Sequence, residues 1–165
     1  MLLEYLERKV VVILLFLFML DGVFEQQKKV GKQGEEVVLN YLLTKHTVQD
    51  VREDKEYQDR DIDFLVDGHS LEIKTDNNIA RTVNVYLETY KGGWFYKCDA
   101  EYLGVYSPQT NTLNIFLLSA LKSLLPSFGR EIKHYDRATG LMVPAVLISV
   151  CDAKNKGALT QTISL

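Results

Sequence analysis

The stretch Asp61-Ile62-Asp63-Phe64-Leu65-Val66-Asp67-Gly68-His69-Ser70-Leu71-Glu72-Ile73-Lys74 decides how the rest of the chain is read. Asp67-Gly68 is a dipeptide suited to the left-handed backbone of a two-residue turn. Short alternating segments flank it, so residues 61–66 and 70–75 are predicted to form a β-hairpin. Closing the chain there opposes Val66 to His69, Leu65 to Ser70 and Phe64 to Leu71. The next pairs are Asp63 with Glu72, Ile62 with Ile73, and Asp61 with Lys74. Side chains alternate along a strand, so this register sets Asp61, Asp63, Glu72 and Lys74 on one face. Ile62, Phe64, Val66, Leu71 and Ile73 fall on the other, the core face. Cross-strand neighbours lie about 5 Å apart at Cβ, which brings the Asp63 and Glu72 carboxylates to one point.

Two like charges held that close repel, and a divalent cation resolves the conflict. Mg²⁺ prefers carboxylate, carbonyl and water oxygens. Lys74, two residues beyond Glu72 on the same face, can reach a phosphate oxygen or a metal-activated water. These parts suit phosphodiester hydrolysis, in which a metal generates hydroxide and a lysine shares the developing charge. Glu-x-Lys occurs four times, at Glu7, Glu53, Glu72 and Glu131. Only the third follows an acidic strand through a tight turn, so context selects Glu72-Ile73-Lys74.

Upstream, residues 26–45 read as a helix whose apolar face carries Val30, Gly34, Val37, Val38, Tyr41 and Leu42. Residues 47–51 form a short strand candidate, and 52–60 (REDKEYQDR) a highly charged connector, most simply a solvated loop. Downstream, residues 82–90 alternate as a strand that Gly92-Gly93 breaks. Residues 101–106 and 112–116 flank the turn SPQTN as a second hairpin. Ser119 is placed to cap a helix to Leu125, and residues 145–150 form an apolar strand. The expected class is α/β (α+β mixed): an N-terminal helix, then a mixed central sheet flanked by helices.

Composition bounds the rest. The chain has 165 residues and a formal net charge of −3, which excludes a broadly basic coat for nucleic acid but not a local basic groove. Its length predicts one domain. Two cysteines, Cys98 and Cys151, cannot build a disulfide framework, so a reducing, cytoplasmic setting is expected. Residues 1–22 form an N-terminal extension and 23–165 the expected domain. The extension holds eleven consecutive apolar residues, 10–20, too few to span a bilayer as a helix, so no stable membrane insertion is expected. Three readings of that run stand open: an element packed on the domain, a weak membrane or partner contact, or an over-long start ahead of Met19.

Asp63 (or Asp61) on the first hairpin strand and Glu72-Ile73-Lys74 on the second resemble the PD-(D/E)xK nuclease superfamily, which includes restriction endonucleases and junction resolvases. Gly31-Lys-Gln-Gly34-Glu35-Glu36 resembles the helix that carries an additional glutamate in many members. Glu35 borders the apolar face, and Glu36 is the weaker choice. Arg60 precedes Asp61 where the motif has proline, which leaves the choice between Asp61 and Asp63 open. Residues 93–102, with Gly93-Trp94 and Asp99-Ala-Glu101, are similar to small phage- and plasmid-borne members. The resemblance implies a restriction-endonuclease-like core and Mg²⁺- or Mn²⁺-dependent cleavage of DNA to 5′-phosphate and 3′-hydroxyl ends. Asp63, Glu72 and the Ile73 main-chain carbonyl would hold metal, Lys74 would position or deprotonate water, and Glu35 would act through water or a second cation.

Phosphate contacts are expected from Lys28, Lys29, Lys32, Arg81, Lys91 and Lys97. The aromatic tract Tyr86, Tyr90, Trp94, Phe95 and Tyr96 is suited either to base stacking or to core packing. Gln58 offers a further polar ligand. A homodimer would let two sites act on two strands. The alternative from another class is a catalytically inactive nucleic-acid-binding or assembly module with the same fold.

Overall fold

The computed structural model of the protein describes residues 25–90, 93–136 and 140–165. The expectations for residues 1–22, Met19, Lys91 and Gly92 lie outside them.

Helix α1 covers residues 25–43. Gly34, Val38 and Leu42, spaced by four, form its buried stripe. Val37 was expected on that stripe but is 39% exposed. One residue step turns a helix by about 100°, which carries Val37 off the face centred on Val38. Next come β1 (Val48–Asp50), the single turn α2 (Lys55–Gln58), β2 (Phe64–Val66) and β3 (His69–Thr75). The hairpin has the register that its turn dictates: Phe64 opposes Leu71, Leu65 opposes Ser70 and Val66 opposes His69. Asp67 and Gly68 both take positive φ, 50° and 90°, as a primed turn requires.

After β3 the chain makes α3 (Ile79–Thr82), β4 (Asn84–Glu88) and α4 (Trp94–Lys97) before returning as β5 (Tyr102–Ser107), parallel to β3. Then follow β6 (Thr112–Leu117), α5 (Leu118–Phe128), β7 (Arg130–Asp136), β8 (Leu141–Ser149), α6 (Val150–Asn155) and β9 (Leu159–Ser164). The class is mixed α/β. Where one sheet was expected there are two: a mixed sheet in the order β1-β2-β3-β5-β6-β9, and an antiparallel sheet β4-β8-β7. Ser119 does not cap α5, which begins one residue earlier behind Leu117 and continues through Pro126 to Phe128.

The larger sheet is covered on both faces. Beneath α1, Val38, Leu42, Phe64, Leu71, Ile73, Tyr106 and Leu113 pack together. On the opposite face Leu87, Phe95, Leu103, Phe116, Leu121 and Ile148 bring the second sheet, α4 and α5 against it. Each fully buried Leu or Phe contributes about 1.5–3 kcal/mol. Ile62 joins this second core rather than the one beneath α1. The alternation of β3 therefore sends Leu71 and Ile73 toward α1, and Glu72 and Lys74 into the opposite layer. No helix among the described residues is long and apolar enough to cross a membrane.

Candidate active site

The hairpin splays apart at the end away from its turn. Asp61 takes φ 51°, and the amides of Asp61 and Ile62 donate to the carbonyls of Gln58 and Tyr57, both at 3.1 Å. These bonds curl the chain away from β3, so pairing stops at Phe64 and the expected Asp63–Glu72, Ile62–Ile73 and Asp61–Lys74 pairs do not form. Asp63 remains against β3 by other means. Its amide donates to the Leu71 carbonyl at 3.0 Å, and its Oδ2 accepts from the Ile73 amide at 2.8 Å. A carboxylate thus stands where a strand carbonyl would be. The amide and carbonyl of one strand residue point the same way, so the Ile73 carbonyl faces this opening too.

Glu72, next along β3, is 4% exposed. Burial pushes its carboxyl up to about 8, with the charge of Asp63 adding to the rise and the Lys74 ammonium opposing it. It is hydrogen-bonded to Asp63, whose own carboxyl is raised by burial. The Lys74 ammonium is bonded to Glu72 Oε1 and sits 4.8 Å from the centre of the Trp94 ring. Burial works against its charge, but the Glu72 and Asp63 carboxyls hold Lys74 above its ordinary range. Asp61 borders the same group: its Oδ2 is buried without a hydrogen bond and lies 3.5 Å from Lys97 Nζ.

From α1, Glu35 leans in as its position beside the apolar stripe implied. Burial, followed by the charge of Asp63, raises its carboxyl, while Arg52 pulls the other way. Arg52 is the residue that sequence reasoning missed. Its side chain is only 16% exposed, and its Nη1 lies 3.3 Å from Glu35 Oε2 and its Nη2 2.8 Å from Glu36 Oε1. It also grips Asp50 with Nε at 2.9 Å and Nη2 at 2.6 Å. The charged connector is therefore a structured corner. Gln58, expected as an added ligand, instead donates its amide to the Arg52 carbonyl at 2.6 Å.

The structure brings Asp61, Asp63, Glu72, Lys74, Glu35 and Lys97 together. Lys28, Lys29 and Lys32 are exposed on α1, on the turns preceding Glu36, and line an open surface groove with it. Arg81, at the end of α3, donates to Asn78 Oδ1 at 3.5 Å. Of the aromatic tract, Phe95 is core, Tyr96 is 59% exposed and Tyr86 meets the His134 ring edge-on. Among the described residues no three acidic, histidine or cysteine side chains form a ready-made metal cage. No family model, curated protein or solved structure matches the chain.

Proposed function

We propose that the chain is a metal-dependent endonuclease that hydrolyses DNA phosphodiester bonds, in recombination, repair or restriction. The observation that carries this reading is the meeting of Asp63, Glu72 and Lys74 at the splayed end of the hairpin, with the Glu72 carboxylate inside the protein. At neutral pH and above, burying a carboxyl whose ionisation is opposed costs a structural hairpin stability. The donor set fits Mg²⁺ or Mn²⁺. It is all oxygen, the Asp61 Oδ2 atom is buried without a hydrogen bond and has only the Lys97 ammonium 3.5 Å away, and a cation would favour the ionised Glu72 that burial opposes. Asp63, Glu72 and the Ile73 carbonyl would hold the ion, with Asp61 beside them and Glu35 contributing through water. When bound, the ion supplies an activated water and neutralises charge on the scissile phosphate.

The chain's own groups do the rest. Lys74, fixed between Glu72 and the Trp94 ring, donates to the attacking water or to a phosphate oxygen. The exposed lysines of α1, together with Lys97, neutralise the DNA backbone, and Arg81 and Lys91 extend that contact. The antiparallel β1-β2-β3 unit, the parallel return of β5 and the helix against one face support a restriction-endonuclease-like core. A homodimer would place two such sites on two strands.

The test is cleavage of single-stranded, duplex, flapped and four-way DNA with Mn²⁺. Wild-type protein is expected to cut at least one substrate and to stop in EDTA. Glu72→Ala and Lys74→Ala, with unchanged circular dichroism, should each lose about 100-fold or more. Full activity in both variants overturns the assignment. An absence of both cleavage and Mn²⁺ stabilisation favours a binding module.

A further inference from the structure

We infer that Arg52 is a positioning residue, a latch that holds Glu35 of α1 against the metal-binding end of the hairpin. This rests on the reading of Asp63 and Glu72 as metal ligands.

The geometry exceeds what an ordinary ion pair needs. One guanidinium faces three carboxylates, Asp50, Glu35 and Glu36, on two different elements. Asp50 takes Nε and Nη2 as a fork, which fixes the plane of the group, leaves Nη1 for Glu35 and shares Nη2 with Glu36. The guanidinium also sits 5.1 Å from the centre of the Phe64 ring, the residue next to Asp63. Asp50 is the register partner of Phe64, so the strand carrying the fork is bonded to the strand that leads into Asp63.

The backbone of Arg52 is held as firmly as its head group. Its amide donates to Asp50 Oδ1 at 3.2 Å, and its carbonyl accepts from Gln58 Nε2 at 2.6 Å. The corner continues into α2, whose first turn is capped by the Asp54 side chain. Nothing about this corner requires Glu35 for its own stability, because Asp50 alone satisfies the fork. What the contact to Glu35 achieves is to keep a second-element carboxyl beside Asp63 despite the repulsion between them. Lysine cannot replace it, since a single ammonium does not grip Asp50 by a fork and reach α1 together.

A double-mutant cycle on the full chain reads the latch. Wild type, Arg52→Gln, Glu35→Gln and the double variant are melted without metal, then with increasing Mn²⁺, following the melting temperature. Arg52→Lys serves as the second variant in case Arg52→Gln fails to fold. The expected result is coupling in the metal-free melts, with the Arg52→Gln loss shrinking when residue 35 is already Gln. The Mn²⁺ midpoint should rise about tenfold in either single variant and no further in the double, with Arg52→Lys close to Arg52→Gln. Additive losses, or Arg52 variants that take up Mn²⁺ as wild type does, overturn the latch while leaving the metal site standing. A wild-type melting temperature indifferent to Mn²⁺ overturns the site reading and the latch together.

Discussion

Glu72 is the residue on which the proposed chemistry depends, and its burial has a measurable sign. Its folded-state carboxyl lies near 8, above the ordinary 4.5, so the folded state binds this proton more tightly than the unfolded chain does. The stability Glu72 contributes is complete below about pH 4.5 and is lost as pH rises through about 8. In metal-free urea denaturation, wild type should lose on the order of 2–4 kcal/mol relative to Glu72→Gln between pH 5 and 8.5. Equal slopes in the two proteins would count against a buried, protonatable Glu72. The two cysteines separate by the same physics. Burial pushes the Cys98 thiol up to about 11, whereas Cys151 is exposed. One thiol should react promptly with a disulfide reagent in folded protein, and the second only on unfolding. The triad Asp63, Glu72 and Lys74 was readable from alternation and one turn. Arg52 was not, because nothing local distinguishes this half-buried arginine in REDKEYQDR from its solvated neighbours. Only the return of α1 past β1 buries it.

Among elements, α1 and the β2–β3 hairpin matter most, and their contact hinges on Gly34. A Cβ there would meet Thr75 Oγ1 at 2.0 Å, Thr75 Cβ at 3.1 Å and the Tyr106 ring at 3.2 Å. Gly34→Val should destabilise the protein by about 1–3 kcal/mol and push Glu35 outward. Cleavage should then fall further than the lost stability explains. Wild-type activity at full folding would detach α1 from the site. The sequence signals differ in strength from element to element. Asp67-Gly68 demands a left-handed pair and so fixes the hairpin register. β7 (REIKHYD) and β9 (LTQTIS) carry too few apolar residues to announce themselves, because they pair at sheet edges. α3 and α4 are single turns whose helicity comes from packing. The curl at Asp61 depends on bonds to Tyr57 and Gln58 in the preceding turn, which alternation does not register.

For the whole molecule, the proposed metal site would link ion binding to folding. An ion that binds the folded chain alone raises its stability by about 2.7 kcal/mol at a hundredfold excess over its dissociation constant. It must displace the Glu72 proton, so Mn²⁺ should raise the melting temperature more at pH 8 than at pH 6. A larger shift at the lower pH would point to different ligands. The joining of the two sheets bears on biosynthesis. β4 leaves the chain between β3 and β5, yet its partner is β8, with Asn84 opposite Ser149. The second sheet, which packs on the face of the larger sheet to which Glu72 points, closes only after about sixty further residues have followed β4. On a ribosome, an emerging polypeptide leaves the acidic hairpin without that layer until β8 has been made. The layer over Glu72 is thus assembled from segments distant in sequence, and long-range pairings of that kind form late.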